Sequence, residues 1–295
     1  MGVADRAAVL AMLREHAAPD FTLAGQRARM DAVSDVFHPP EGAEVQTAEV
    51  GGVAGEWVRA RRTLADAALL YLHGGGYVNG SPTSHRHLAA AIGEASGLPV
   101  FVAEYRRAPE HPFPAALEDA VAAYKGLLAS GLSPARLAIG GDSSGGGLAI
   151  ATLVSLREQN VPLPACVACI SPWADLTQSG ETFRTHAALD PTISKARLDA
   201  MAAQYLAGRD PTTPLASPLY ADLSGLPPLL LQVGGREVLF DDTMRLRARA
   251  EEARVEVSVE SWGGLWHVWP FYYPMLSEGR DAIARIGAYL KARIA

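Results

Sequence analysis

Residues 136–156 read RLAIGGDSSGGGLAIATLVSL. The stretch begins as a short apolar strand, breaks at Gly141-Asp142-Ser143-Ser144-Gly145, and continues as an apolar helix with almost no polar side chains. A turn that takes a strand straight into a helix is tight, and its central residue is strained. Small residues are therefore needed two positions before and two after it, the places of Gly141 and Gly145. Gly146 and Gly147 extend that freedom and let the helix lie close to the sheet. G-x-S-x-G between a strand and a helix lifts Ser143 to the tip of the turn, where its hydroxyl is placed to act as a nucleophile. Ser144, one residue on, would contribute its backbone N–H. Read instead as a phosphate-binding turn at a helix N-terminus, the stretch lacks the Lys-Ser/Thr ending of a P-loop and does not fit G-x-G-x-x-G.

The same rhythm runs outward in both directions. EVQTAEV (44–50) and EWVRARR (56–62) alternate around a Gly-Gly turn, as a β-hairpin does. Six further strand-like runs follow: ALLYLH, LPVFVAEY, RLAIGG, ACVACIS, PLLLQVG and VEVSVES. Helical stretches near 84–97, 114–130, 145–159, 241–253 and 279–294 separate or follow them. Continuous apolar strands alternating with helices mark a mostly parallel sheet covered on both faces, here of about eight strands. Residues 1–40 read as amphipathic helices ending at Pro39-Pro40. A segment near 176–213, with its own helical stretch KARLDAMAAQYLAG, interrupts the alternation as an insertion.

Composition narrows the functional classes. With 49% hydrophobic and 20% charged residues and a net charge of -6, the 295-residue chain is ordinary for a globular protein. No basic block argues for nucleic acid or an anionic membrane; Arg59, Arg61 and Arg62 are expected at a solvated strand end. The N-terminus lacks the pattern of a signal peptide, and no run approaches a membrane span. The expectation is cytoplasmic. Cys166 and Cys169 form C-x-x-C, but on a strand positions three apart point to opposite faces, so they are expected to be inert core thiols. His85 and His87 lack a third ligand at suitable spacing for zinc and are expected on a helix surface or packing a loop. No metal or cofactor is expected.

Ligands of open α/β sheets bind beyond the carboxyl ends of the strands. After ALLYL comes His73-Gly74-Gly75-Gly76-Tyr77. Acyl transfer builds a negative oxygen, and glycine N–H groups can face it without a Cβ in the way. Gly74 and Gly75, with Ser144, are the expected donors, and His73 a supporting residue of the loop. At this point HGGGY, YRRAPEHPFPAALED (105–119), GDSSGG, SPWADL (171–176) and WHVW together resemble the hormone-sensitive-lipase-like family of α/β-hydrolase carboxylesterases, in its bacterial GDSAG-type branch. The match runs from about residue 40 to the C-terminus. Arg107, Ser144 and Gly147 depart from the family's usual leucine, alanine and asparagine.

The resemblance implies an α/β-hydrolase fold (41–295) with a helical cap from residues 1–40 and 176–213. It also implies Ser143 as nucleophile and a histidine after the last strand. His267 is the one histidine that follows both Ser143 and the acid cluster of LQVGGREVLFDD (231–242), so the order Ser…acid…His is met only by it. Among the acids, Glu237 lies four residues past Val233, in the loop where a triad acid belongs. Asp241 and Asp242 lie where the next helix begins and have a capping explanation; Asp241 is the alternative. Asp142 is a supporting neighbour, and Arg106 and Glu110 are expected to pair beneath the site. The resemblance implies a serine carboxylesterase for short-to-medium acyl esters, with Tyr77 and Trp266 expected in its pocket and a possible homodimer through the last strand, near 255–261. Its partners would be small-molecule esters, with no nucleic acid and no membrane. Amides, lactones or acetylated sugars share the same tetrahedral chemistry. A non-catalytic small-molecule receptor is known on this scaffold among plant hormone receptors; loss of the histidine is the sign of that fate.

Overall fold

A computed structural model describes residues 2–15 and 22–294. Its sheet has eight strands among the described residues: β1 (Glu44–Val50), β2 (Val53–Arg59), β3 (Ala68–Leu72), β4 (Val100–Ala103), β5 (Leu137–Asp142), β6 (Cys166–Ile170), β7 (Leu229–Gly234) and β8 (Val257–Trp262). They lie in the order β1-β2-β4-β3-β5-β6-β7-β8. β2 runs antiparallel to both of its neighbours, β1 and β4; from β4 to β8 every pair is parallel. The second hairpin strand starts three residues earlier than its charge alternation indicates. Gly51 and Gly52, both at positive φ, make a two-residue turn that pairs Val50 with Val53.

Helices α1 (Gly2–Glu15), α2 (Leu23–Asp31), α3 (Pro82–Ser96), α4 (Ala115–Ala129), α5 (Ser144–Glu158), α6 (Thr182–Thr185), α7 (Lys195–Leu206), α8 (Phe240–Glu252) and α9 (Ser277–Ile294) surround it. The part of the N-terminal helical stretch at 16–21 lies outside the described residues. Alternate strand residues feed two cores. Leu70, Leu72, Ile139, Val167, Cys169 and Leu231 face the side of α4, α5 and α8. Leu69, Tyr71, Ala138, Cys166, Ala168 and Leu230 face α3 and α9. Each Val, Leu or Ile among them contributes roughly 1.5–3 kcal/mol on burial. The two cysteines thus sit on opposite faces, both free, and burial pushes each thiol up to about 12.

Register decides where the loops meet. Leu72 pairs with Gly141, so the glycine loop after β3 lies beside the turn after β5. Asp142 pairs with Ile170, bringing Ser171 alongside, and Gly234 pairs with Trp262, bringing the acid loop beside the histidine loop. Gly235 and Arg236 donate their N–H groups to the carbonyls of Trp262 and Leu265, tying those last two loops together.

Candidate active site

Ser143 stands between β5 and α5 at φ 53, in the left-handed region that a serine adopts only under constraint. Its N–H donates to Ile170 O, and its carbonyl accepts from Trp173 and Gly147. The flanking glycines have a steric reason: a Cβ on Gly145 would come within 1.9 Å of Leu72 O, and one on Gly141 within 2.5 Å of the same atom. Ser143 Oγ lies 2.9 Å from His267 Nε2, and His267 Nδ1 lies 3.1 Å from Glu237 Oε2. The tautomer consistent with both contacts carries its proton on Nδ1, leaving Nε2 to accept from the serine hydroxyl. The other carboxylate oxygen, Oε1, accepts from Ser171 Oγ and from Gly234 N, each at 2.6 Å.

Burial pushes the Glu237 carboxyl up from its ordinary value, against the hydrogen bond and charge of His267 that pull it down. For His267, burial opposes the charged ring, yet the bond and charge of Glu237, joined by the charges of Asp190 and Asp142, outweigh it and leave the imidazole raised. A fully buried carboxylate against an imidazole thus favours the imidazolium that a proton-accepting histidine must become.

Of the two other acids, neither faces His267. Asp241 Oδ2 accepts from Thr182 N at 2.9 Å, and Asp242 Oδ2 accepts from Ala174 N and Asp175 N, each at 3.0 Å. Both lie in the first turn of α8, as the sequence indicates, but their carboxylates hold the segment 174–182 rather than cap their own helix.

The glycine loop requires a correction. Gly74 is expected to aim its N–H at a substrate oxygen, but it donates to Asp142 Oδ1 at 3.0 Å. That carboxylate also accepts from Tyr71 OH, and His85 Nε2 lies 3.4 Å from its other oxygen. Asp142 therefore fixes the loop from below. Among the described residues no hydrogen bond takes the N–H of Gly75, Gly76 or Ser144. Gly75, at φ 121, has no room for a Cβ, which would fall 2.3 Å from Asn79 O. His73 lies within the loop's packing: its Nδ1 is 2.9 Å from Gly74 O, its ring stacks on Tyr105, and burial lowers it to about 3.

Residues 69–271 match the family model of the alpha/beta hydrolase fold. An acetyl-hydrolase of Streptomyces hygroscopicus is 52% identical over 242 residues, 82% of this chain and 81% of that protein. An esterase of Acinetobacter venetianus is 33% identical over 88% of this chain and 86% of its own. A crystal structure of an esterase from the bacterial hormone-sensitive lipase family superposes with a TM-score of 0.98 at 46% identity, covering 100% of both chains. The chain belongs to the α/β-hydrolase fold family, among its hormone-sensitive-lipase-like esterases. It is a carboxylic ester hydrolase.

In this esterase the departures from the family pattern have local explanations. Ser144 Oγ accepts the N–H of Tyr77 at 3.2 Å, binding the elbow to the glycine loop. Arg107 donates to Glu104 at 2.7 Å and to the carbonyl of Gly80. A Cβ on Gly147 would meet Trp173 O at 2.1 Å, so asparagine has no space there. The two aromatics expected in the pocket are both buried in packing contacts. Tyr77 is fully buried and stacks on Tyr205 of α7, rings 3.8 Å apart. Trp266 is buried with Val9 of α1, Leu265, Trp269, Leu276 and Ala282 of α9. His85 and His87 are not on a helix surface: both are buried, His87 with Nε2 2.9 Å from Phe271 O. Arg106 pairs with Asp119 and Glu118, whereas Glu110 pairs with Arg27 of α2, so the expected Arg106–Glu110 pair is not made.

Ser171, at φ 50 just past β6, opens the SPWADL motif and has a contact with Glu237 that the sequence does not reveal. Its hydroxyl donates to Glu237 and accepts from Val268 N at 3.1 Å, joining the acid and histidine loops. Among the described residues no helix is long and apolar enough to cross a membrane.

Proposed function

We propose that the protein is a serine carboxylesterase acting on short-to-medium-chain acyl esters through a Ser143-His267-Glu237 triad and an acyl-enzyme. The observation that carries this reading is the continuous relay, 2.9 Å from Ser143 Oγ to His267 Nε2 and 3.1 Å from His267 Nδ1 to Glu237. Ser143 Oγ attacks the ester carbonyl while Nε2 takes its proton. The oxyanion that forms is held by the N–H groups of Gly75, Gly76 and Ser144, each donor typically worth ~3 kcal/mol in the transition state. Nε2 then protonates the departing alkoxide, and a water activated by the same nitrogen cleaves the acyl-enzyme, restoring Ser143. Glu237 keeps the imidazole oriented and stabilises its charge throughout.

The substrate enters beneath a cap made by the N-terminal helices and the insertion. Arg27 of α2 donates to the carbonyls of Val78 and Ala108, and Met201 of α7 lies against Gly76, so both parts of the cap touch the glycine loop. The name of the acetyl-hydrolase relative favours the short end of the acyl range. The outer edge of β8 has no partner strand among the described residues, which favours pairing of two copies there; a monomeric mass at high concentration would remove that part. A fluorophosphonate probe tests the chemistry. Labelling at Ser143 together with p-nitrophenyl ester turnover, fastest for the short acyl chains, is the expected result. An unlabelled, inactive wild type would favour the receptor reading.

A further inference from the structure

The insertion does more than cover the site. Residues 182–190 grip the backbone on which Glu237 is mounted. His186 Nδ1 lies 2.9 Å from the carbonyl of Glu237, and Val238 N donates to Asp190 Oδ2 at 3.1 Å. Those two backbone groups belong to one peptide unit, the one immediately after Glu237. Thr182 Oγ1 donates to the next carbonyl, Val238 O, at 2.7 Å and accepts from Asp241 N. Opposite edges of a single peptide plane are therefore held by two side chains of the insertion. A peptide plane gripped at both edges cannot rotate without breaking one bond, so the Cα of Glu237 is fixed in azimuth.

We propose that Asp190 is a positioning residue of the catalytic relay: with His186 it clamps the Glu237–Val238 peptide from both edges. The inference rests on the triad reading above. Asp190 Oδ1 is already engaged by Thr192 N at 3.0 Å and Thr192 Oγ1 at 2.6 Å, so its two oxygens have separate duties, one in its own turn and one on Val238. The charged groups that act on His267 are Glu237 from the β7–α8 loop, Asp190 from the insertion and Asp142 from the end of β5, all favouring its protonated form. Around Asp190 lie Glu237, His267, His186 of its own segment and the Tyr272 phenol, raised to about 12 by burial first and then by Asp190. The clamp makes the cap and the triad acid parts of one mechanical unit.

Asp190→Asn separates the two oxygens. Two donors from Thr192 keep the amide oxygen on the turn, leaving an NH2 group opposite Val238 N–H with neither acceptor nor charge. The expected result is a kcat loss of roughly 10–10²-fold, the scale of a small misplacement of catalytic groups. KM stays unchanged, and the acid limb of kcat/KM moves to lower pH. His186→Ala should lower kcat without moving that limb, because it removes the clamp and no negative charge. Thr192→Val should cost stability and leave both readouts in place. Glu237→Gln is run alongside. If it lowers kcat while Asp190→Asn keeps wild-type kcat and limb, the positioning role is overturned and the triad stands; if Glu237→Gln is itself wild type, the triad reading fails. Should Asp190→Asn not fold, His186→Ala decides the clamp: reduced kcat at constant KM supports it, and wild-type kcat overturns it.

Discussion

Replacing Glu237 by glutamine tests the acid assignment through hydrogen-bond direction rather than size. Oε1 of Glu237 accepts from Ser171 Oγ and from Gly234 N. The Ser171 hydroxyl can rotate, but the Gly234 N–H cannot, so a glutamine must leave its carbonyl oxygen on that side. Its NH2 group then faces His267 Nδ1, where Oε2 now sits at 3.1 Å. A donor opposite Nδ1 forces the ring to accept there and to carry its proton on Nε2, aimed at Ser143 Oγ. That is the wrong tautomer for a base, and the imidazolium also loses its counter-charge. Loss of a triad acid by this route lowers kcat by roughly 10³–10⁴-fold, equivalent to about 4–5.4 kcal/mol of barrier. The pH profile gives a second readout. His267 is raised in the wild type and must be neutral to act, so activity is lost as pH falls through a value above the ordinary 6.5. Without the Glu237 charge that limb should move down. Steady-state hydrolysis of p-nitrophenyl acetate from pH 5 to 9 measures both effects. A variant within tenfold of wild-type kcat, with an unmoved acid limb, would refute the assignment, and inactive Asp241→Asn beside it would transfer the role.

Ser171→Ala should lower kcat at unchanged KM and cost about 1–3 kcal/mol of stability from the unpaired Val268 N–H; calorimetry with kinetics checks it, and an unaffected kcat would deny Ser171 any part in holding the relay. Gly75→Ala should lower kcat by roughly 10²–10³-fold, because the displaced peptide no longer presents its N–H to the oxyanion; a wild-type kcat would remove Gly75 from that role. Asp242 is buried, which raises its carboxyl well above the ordinary value, and Asp175 adds to the effect. Such a group contributes stability that is present below the unfolded value near 4 and lost as pH rises through its folded value. Asp242→Asn should therefore gain thermal stability relative to wild type as pH rises from 4 to 8, in melting curves of the two proteins; a pH-independent difference would contradict the raised carboxyl.

What the sequence discloses and what it hides divide along physical lines. Strand and helix alternation, the elbow at Ser143 and the glycine loop are local patterns, written in neighbouring residues. Ser143 and His267 follow from motif and chain order. The identity of the donors in the glycine loop is not local. Gly74 and Gly75 are alike as letters, and only the Asp142 carboxylate, 68 positions away, distinguishes the occupied N–H from the open one. Tyr77 and Trp266 flank catalytic loops in the sequence, yet their rings go to α7 and to the α1–α9 side because those surfaces offer apolar partners. Ser171 opens the SPWADL motif, but those letters assign it no task beyond being a serine after a strand. Its role comes from the parallel register that sets the end of β6 beside the ends of β5 and β7.

The three acids of residues 237–242 show the same division within six positions. Each is carried on one loop-to-helix junction, so backbone position alone sets their order along the chain but not their work. Glu237 lies before α8 begins and turns back under β7, where Gly234 N and Ser171 receive it and His267 closes the relay. Asp241 and Asp242 lie one helical turn onward, and both bind the segment that begins the insertion, at Thr182 and at Ala174-Asp175. The insertion returns the contact through His186 and Asp190 to the Glu237–Val238 peptide. The crowding of acids thus reflects two tasks on the same dozen residues: setting a carboxylate against His267 and holding the inserted segment. One carboxylate faces the histidine, and the two beside it bind the segment whose His186 and Asp190 contact the peptide after the first.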